Sequence, residues 1–197
     1  MTPRATPLTP DQRRAALVEA TVPLLFQHGR AVTTRRIAEA AGVAEGTIFR
    51  AFPSKDELVE AAIRAALEPG RYEADLRAID LEAPLRERLE ALVTAMQQRF
   101  ARVFLLMDRL GMVSPDQDQR RELRRRWDER LQPLVRDVLG ADAARLRVEP
   151  ERALHVVRLL TFAGSHPGIA DGETLTPREI VDVLLDGLLD PARAGEA

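Results

Sequence analysis

The sequence predicts an all-α protein. Apolar side chains recur every three or four residues along most of the 197-residue chain, which is the spacing of one face of an α-helix. Sustained alternation of apolar and polar residues, the pattern of a half-buried strand, is missing from the sequence. Hydroxyl residues followed three positions later by Glu or Gln mark helix starts at Thr9, Ser54, Ser114 and Thr176. We therefore expect helices joined by short loops.

Composition excludes several classes of protein. The chain is 45% hydrophobic and 30% charged and has no cysteine, which excludes a disulfide framework, a thiolate metal site and cysteine catalysis. The three histidines and the acidic residues form no metal-ligand or nucleophile motif, so we predict no metal site, no cofactor and no enzyme. The sequence has neither an export signal nor the roughly 20 apolar residues that span a bilayer. We expect a cytoplasmic protein that does not enter a membrane.

Start and stop signals divide the chain into helices. The expected helices cover residues 10–28, 34–41, 44–51, 54–68, part of 71–80, 84–110, 115–139, 150–165 and 177–189. The early helices are short and the later ones are long and amphipathic, with a break around Pro69 and Pro84. We place residues 1–9 in a flexible N-terminal arm, 10–68 in a first domain, and 69–197 in a larger helical domain.

Local signals justify these elements in turn. The first helix starts after Thr9, which has Gln12 three residues later, and ends at Gly29, because glycine can take a left-handed conformation. Gly42 ends the second helix, and the capping box of Ser54 starts the fourth. Each of the two longest helices carries an apolar stripe at helical spacing. The stripes are Leu85, Leu89, Leu92, Met96, Phe100, Val103, Met107 and Leu110, and then Leu123, Trp127, Leu131, Leu134 and Val138.

Residues 34–53 have the layout of a helix-turn-helix. Ala38 is small where two helices approach closely, and Gly42 supplies the positive φ that the turn needs. Ile37 and Ile48 hold the second short helix against the first. The outer side of that second helix then carries Glu45, Gly46, Thr47, Phe49 and Arg50. A recognition helix presents such a face to the major groove of DNA; the alternative is a packed helix pair that does not bind DNA.

Charge is unevenly distributed along the chain. The formal net charge is −2, from 29 basic and 31 acidic residues. Residues 1–50 contain seven arginines and four acidic residues, a surplus of +3, which leaves −5 for the rest of the chain. The surplus is either an attraction for DNA phosphates or an ordinary solvated surface. If it binds DNA, we expect non-specific affinity to be weak and strongly salt-dependent.

The N-terminal third of the chain resembles the DNA-binding domain of the TetR family of bacterial transcriptional regulators. The resemblance covers about residues 10–68 and rests on a first helix that ends in His28-Gly29, on the helix-turn-helix, and on the link Phe52-Pro53-Ser54-Lys55 into a fourth helix. It implies a cytoplasmic homodimer, usually a repressor, that leaves a palindromic DNA operator when a small molecule enters the C-terminal domain. An activator of the same family is the main alternative; a helical-bundle enzyme or small-molecule binder is a more distant one.

The resemblance also assigns roles in DNA binding. The implied residues are Thr33, Thr34, Arg35, Arg36, Glu45, Gly46, Thr47, Phe49, Arg50 and Lys55. The hydroxyls of Thr33 and Thr34 and the ammonium of Lys55 are expected at phosphates. Arg50 is the candidate for reading guanine.

Two positions depart from the pattern of the family. Phe49 stands where tyrosine is common, which removes a hydrogen bond from a phenol to a phosphate. Ala44 stands where serine often caps the recognition helix. The neighbouring Glu45 is therefore expected to support the start of that helix through the helix dipole, and to repel phosphate if it points at the DNA backbone.

The C-terminal domain is expected to hold a partly apolar effector and to form the dimer. The candidate cavity wall consists of Met96, Phe100, Phe104, Met107 and Trp127; each of these side chains is an equally good core residue. By the resemblance, the last two helices pair with their copies in a four-helix bundle. The candidate dimer face consists of Leu154, Val157, Leu160, Ile180, Val181, Leu184 and Leu188. Burial within one chain is the alternative for this face.

Overall fold

The computed structural model describes residues 9–111, 121, 125 and 129–188. Within these ranges the chain is helical and no β-strand is present, which confirms the predicted all-α class. None of the helices in the same ranges is long and apolar enough to cross a membrane. The predicted arm before Thr9 and the candidate cavity residue Trp127 lie outside the described residues.

The bounds of most helices follow the sequence signals closely, but the predicted helix 115–139 is wrong in its described part, where a turn at Leu131 separates helical residues 129–130 from a helix over 132–137. In chain order they are α1 (Pro10–His28), α2 (Thr34–Ala41), α3 (Gly46–Ala51), α4 (Lys55–Leu67), α5 (Gly70–Arg77), α6 (Leu85–Leu110), α7 (Gln132–Asp137), α8 (Pro150–Ser165) and α9 (Pro177–Leu188). Two 3₁₀ helices, Gly29–Ala31 and Gly140–Arg145, lie after α1 and α7. Helix α3 begins two residues later than predicted, because the Thr47 N–H donates to the Ala44 carbonyl at 2.8 Å in a tighter turn.

Two of the predicted capping boxes, at Thr9 and Thr176, are complete, and the one at Ser54 shows one of its two bonds. The Gln12 N–H donates to Thr9 Oγ1 at 3.2 Å, and the Thr9 N–H donates to Gln12 Oε1 at 2.9 Å. The Glu57 N–H donates to the hydroxyl oxygen of Ser54 at 3.2 Å. At α9 the Thr176 N–H donates to Glu179 at 2.8 Å. These bonds satisfy backbone donors that a helix leaves unpaired, and each cap contributes about 1 kcal/mol. The fourth box, at Ser114, lies outside the described residues.

The helices group into two compact units. Among the described residues, 9–68 and 105–111 form the first unit, and 69–104, 121, 125 and 129–188 form the second. The sequence-based division at residue 69 assigned all of α6 to the C-terminal domain. In the structure the last part of α6, from Leu105, groups with the first unit instead. The apolar stripe of α6 is continuous, so the sequence carries no signal for this division.

The core of the first unit gathers one face each of α1, α2, α3 and α4. Its fully buried side chains include Leu17, Leu25, Val32, Ile37, Ile48, Phe52, Leu58, Val59 and Ala62. Thr21 is also buried, and its hydroxyl donates to the Leu17 carbonyl at 2.7 Å, so its polar group is satisfied. Ile37 and Ile48, the apolar positions predicted from the helix-turn-helix pattern, are thus fully buried.

The core of the second unit draws on five helices. Its buried cluster includes Leu76 of α5, Leu92, Val93 and Met96 of α6, Val135 of α7, Leu154 and Val157 of α8, and Ile180, Val181 and Leu184 of α9. Arg88 lies buried beside this cluster, donates to the Val138 carbonyl at 2.7 Å and pairs with Asp142. The buried charge is therefore compensated by a carboxylate.

The carboxylate of Glu73 on α5 lies between two arginines of the second unit. Arg77 Nη1 is 2.5 Å from Glu73 Oε1, and Arg130 Nη2 is 2.5 Å from Oε2. The hydrogen bond from Arg77 lowers the pKa of Glu73 below its ordinary value of 4.5, and the charges of Arg130 and Arg77 act in the same direction against partial desolvation. The folded state therefore favours the ionised form of this group.

Replacing Glu73 with glutamine is expected to remove a pH-dependent part of the stability. A carboxyl whose pKa is lower in the folded than in the unfolded state stabilises the fold above its unfolded pKa, and this stabilisation is lost as the pH falls through the folded pKa. The wild type should therefore melt at a higher temperature than Glu73→Gln near neutral pH, and the difference should shrink below about pH 4. Thermal unfolding followed by circular dichroism measures this difference. Glu87→Gln, which removes an exposed carboxylate from α6, is the control. A difference in melting temperature between the wild type and Glu73→Gln that does not change with pH would contradict the prediction.

Candidate nucleic-acid interface

The turn between α2 and α3 has the geometry that the sequence pattern predicts. Gly42 has φ 66° and ψ 32°, a left-handed conformation that glycine adopts at little cost. The Val43 N–H donates to the Ala38 carbonyl at 3.0 Å, and Ala38 is buried. The positive φ predicted at Gly42 is therefore confirmed, and the burial of Ala38 is consistent with its predicted place between two helices.

Helix α3 buries one side and exposes the other. Ile48 has no accessible surface, while the opposite side exposes Glu45, Gly46, Phe49 and Arg50. Phe49 is 53% exposed, unusually high for an aromatic side chain. A Cβ built on Gly46 would meet no atom within 4 Å, so another surface can approach the backbone there. Thr47, at the edge of this face, is half-buried.

Arg14 of α1 holds the C-terminal end of α3, a role that sequence reasoning missed. Its guanidinium carbon lies 4.0 Å from the ring centroid of Phe52, and its Nη1 donates to the Ala51 carbonyl. Both contacts are favourable, since the ring face and the last carbonyls of a helix carry partial negative charge. Arg14 and Ala51 are 37 positions apart, so no local pattern could have indicated the contact.

The two threonines expected at phosphates have different partners in the structure. Thr33 Oγ1 accepts a hydrogen bond from the Arg36 N–H at 3.3 Å and so caps α2. Its own hydroxyl hydrogen remains available to another acceptor. Thr34 instead donates its hydroxyl to the Glu45 carboxylate. Glu45 makes no side-chain capping bond to α3, so its expected support of that helix through the helix dipole stays a prediction.

The arginines of the interface differ in how far they are engaged. Arg35 Nε lies 3.1 Å from Glu39 Oε1 on the same helix. Arg36 Nη1 lies 2.7 Å from Nε2 of His28, at the end of α1. Arg50 is exposed and forms no hydrogen bond or ion pair with any residue that the structure describes. Its guanidinium is therefore the one whose five donors are all available to a ligand.

In the second unit, two of the candidate cavity residues belong to an aromatic cluster. Ring centroids are 6.0 Å apart for Phe100 and Phe104 of α6, 5.1 Å for Phe104 and Phe162 of α8, and 4.5 Å for Phe104 and His166. The sequence of α6 alone was enough to predict Phe100 and Phe104 as candidate cavity residues. Phe162 and His166 join them only through tertiary packing, because they lie on and after a different helix.

The other candidate cavity residues are placed elsewhere. Met96 is fully buried in the core of the second unit, so the alternative of a core residue holds for it. Met107 is buried and belongs to the first unit. Neither side chain is part of the aromatic cluster, which we define as Phe100, Phe104, Phe162 and His166.

Most of the candidate dimer face is buried within the chain itself. Leu154, Val157, Ile180, Val181 and Leu184 all belong to the core of the second unit. Side chains packed in this way present little surface to a partner, which favours the alternative of burial within one chain; a dimer face made of these five residues stays a prediction. Their apolar periodicity is explained by the core of one chain. Leu160 is half-buried, and the side chain of Leu188 lies outside the described residues. The same two helices expose Leu159 and Val183, by 47% and 61%.

Comparison with known proteins agrees with this geometry. The profile of a family described as bacterial regulatory proteins, tetR family, matches residues 17–62. The chain is 30% identical, over an alignment of 145 residues, to the HTH-type transcriptional repressor KstR2 of Mycolicibacterium smegmatis, and the match covers 67% of this chain and 69% of that protein. It is 27% identical over 195 residues to KstR2 of Rhodococcus jostii, covering 91% and 92% of the two chains.

Similarity in structure extends over nearly the whole chain. A TetR transcriptional regulator from Agrobacterium tumefaciens superposes with a TM-score of 0.64 at 20% identity, covering 93% of this chain and 98% of that chain. Together with these relatives, the helix-turn-helix and the exposed face of its second helix identify a DNA-binding regulator of transcription. The similarity to KstR2 makes the assignment specific: the chain belongs to the TetR family of bacterial transcriptional regulators.

Replacing Lys55 with alanine is expected to weaken binding to all DNA sequences by a similar factor. Lys55 Nζ donates to the Arg30 carbonyl at 3.3 Å, which holds the ammonium near the start of α4. A lysine at a phosphate adds affinity without reading a base. The slope of log affinity against log salt should therefore fall by about 1 per protomer. Fluorescence anisotropy at several salt concentrations measures this slope. Lys55→Arg keeps the charge and should keep the slope; an altered base preference in Lys55→Ala would contradict the assigned role.

Proposed function

We propose that this protein is a homodimeric transcriptional repressor that binds a palindromic operator through α3 and releases it when a small molecule binds the second unit. The observation that carries the proposal is the exposed face of α3, with Arg50 unengaged beside the open backbone of Gly46. A helix with this face can enter the major groove, where each base pair presents a distinct pattern of donors and acceptors. Since its DNA is in the bacterial cytoplasm, the proposed function places the protein there.

The DNA contacts divide into positioning and reading. Thr33 and Lys55, at the starts of α2 and α4, can donate to phosphates and so set the register of the protein on the duplex. Arg50 can donate two parallel hydrogen bonds to the O6 and N7 atoms of guanine. Phe49 offers an apolar surface to a thymine methyl group or a sugar.

We assign dimerisation to the exposed side of α8 and α9. Leu159 and Val183 are 47% and 61% exposed in the single chain, and a second copy related by a two-fold axis would remove both from water. A two-fold axis also presents two copies of α3, as a palindromic operator requires. Val183→Asp should yield monomers in sedimentation experiments and weaken operator binding. A dimer unaffected by this substitution would contradict the assigned surface.

We place the effector at the aromatic cluster. Its phenylalanine rings lie on α6 and α8 and the ring of His166 lies directly after α8. Phe162 is 36% exposed, so a partly apolar ligand can contact the cluster without first opening the core. Helix α6 carries Phe100 and Phe104 in the second unit and Leu106 and Met107 in the first. A displacement of α6 by the ligand would therefore reach the DNA-binding unit along one continuous helix. Switching requires that the ligand bind the two states with different affinity.

Selection of bound duplexes from random DNA by the full-length chain tests the proposed function. The expected result is an inverted repeat whose half-site centres are about 34–36 Å apart, bound by two chains. A reporter whose promoter overlaps the selected repeat should be silenced by the protein, and activation of the reporter would contradict repression. Recovery of no symmetric sequence at moderate salt would overturn the proposal.

A further inference from the structure

The outer face of α3 carries one carboxylate, which is unexpected on a surface that is proposed to bind DNA. Residues 45–51 contain a single acidic side chain, Glu45, which is exposed directly before the open backbone of Gly46. A carboxylate brought to DNA is repelled by the phosphates, which weakens binding to every sequence alike. A carboxylate on this face therefore lowers the affinity for DNA unless a DNA base donates a hydrogen bond to it.

The carboxylate of Glu45 is positioned by the neighbouring helix. The Thr34 hydroxyl of α2 donates to Glu45 Oε1, while Glu45 makes no capping bond to α3. Within the part of the chain that the structure describes, no arginine or lysine pairs with this carboxylate. Oε2 is therefore left as an acceptor with both lone pairs available. Because Thr34 restricts the side chain before DNA arrives, less conformational entropy is lost on binding.

We propose that Glu45 selects cytosine in each operator half-site by accepting a hydrogen bond from the exocyclic N4 amino group. This inference rests on the proposed function, because it requires α3 to lie in the major groove. Cytosine presents a donor there, adenine presents a donor beside the acceptor N7, guanine presents only acceptors, and thymine presents an acceptor and a methyl group. The carboxylate therefore attracts the amino group of cytosine, gains less from adenine because N7 lies beside the donor, and is repelled by the acceptors of guanine and thymine. Arg50 applies the opposite rule, since a guanidinium has only donors.

The test compares duplexes selected from random DNA by the full-length wild type, Glu45→Gln and Glu45→Ala. All three chains should recover the same inverted repeat except at one base position of each half-site, which is one column of the aligned sequences. The wild type should prefer cytosine in that column, and in Glu45→Ala the preference for cytosine over the other bases should be about tenfold smaller. Glu45→Gln should shift it toward adenine, because an amide pairs with both N6 and N7 of that base. Both variants should bind random duplexes more tightly than the wild type, since each has lost a negative charge at the phosphates.

A matched variant and a modified base separate base reading from general charge effects. Glu19→Gln removes an exposed carboxylate from α1 and should leave every column unchanged. A duplex whose selected cytosine lacks the N4 amino group should bind the wild type about tenfold more weakly and Glu45→Ala with unchanged affinity.

Two failures have different meanings. If the wild type recovers an inverted repeat but no column changes in the Glu45 variants, the role of Glu45 is overturned and the proposed function stands. If the wild type recovers no inverted repeat, the proposed function is overturned, and the role of Glu45 with it. Equal sensitivity of wild type and Glu45→Ala to the missing amino group also overturns the role of Glu45.

Discussion

Replacing Arg50 with alanine is expected to remove most of the sequence preference in DNA binding. A bidentate arginine–guanine pair is worth about 2 kcal/mol of discrimination, so two half-sites lose roughly 4 kcal/mol together, or about a thousandfold in affinity for the operator. The structure supports a large effect, because Arg50 is exposed and unengaged by any described residue. Affinity for unrelated duplexes should fall much less, since only one charge per protomer is lost.

Two variants separate base reading by Arg50 from its charge. Arg50→Lys keeps the positive charge but loses the planar fork, so it should retain non-specific affinity and still lose discrimination. Arg64→Ala removes an exposed arginine of α4 and should leave the ratio of operator to non-specific affinity unchanged. Fluorescence anisotropy with the operator and a scrambled duplex, at one salt concentration, gives this ratio. An unchanged ratio in Arg50→Ala would show that Arg50 does not read a base.

The second large effect is expected at Gly29, which ends α1. Gly29 has φ 54° and ψ −140°, a conformation that a residue with a Cβ adopts only under strain. A Cβ built there would also clash with the backbone carbonyl oxygen of Arg109 on α6, and a backbone atom cannot move aside as a side chain can. Both residues belong to the first unit. Strain and overpacking together predict a loss of ~3 kcal/mol for Gly29→Ala, or roughly 10 °C in melting temperature.

Gly42→Ala is the matched control for Gly29→Ala. Gly42 also has a positive φ, of 66°, but a Cβ built on it meets no atom within 4 Å. Only the backbone cost then remains, which is about 1 kcal/mol. Thermal unfolding by circular dichroism should therefore rank the chains as wild type, Gly42→Ala and Gly29→Ala, in order of decreasing stability. Equal losses for the two variants would mean that the contact with α6 does not contribute.

The helices could be predicted because their signals are local. The capping box at Thr9 and the glycine at Gly29 place both ends of α1, and the left-handed Gly42 places the turn before α3. The contact of Arg14 with Phe52 could not be predicted, since it joins distant positions of the sequence. The same holds for the pairing of Glu73 with Arg130, which depends on how the helices of the second unit pack.

Periodicity identifies an apolar face but not what covers it. Val157 and Ile180 belong to strong apolar stripes, and the sequence allowed either a partner chain or the core of the same chain to bury them. The structure shows the core. The exposed Leu159 and Val183 are not members of the predicted dimer face, so the periodicity gave no indication of a role for them. At the DNA-binding unit, by contrast, the inner face of α3 is committed to Ile48, so the exposed face followed from the helical period alone.

Recognition of DNA by a symmetric pair of α3 helices is tested most directly by the affinity of the full-length chain for a selected inverted repeat, compared with the same duplex after one half-site has been reversed. Two chains should bind the inverted repeat, at least about a thousandfold more tightly than an unrelated duplex. Reversing one half-site should remove most of that advantage, because a two-fold dimer can then engage only one half-site. Equal affinity for the two arrangements would contradict recognition by a symmetric pair of α3 helices.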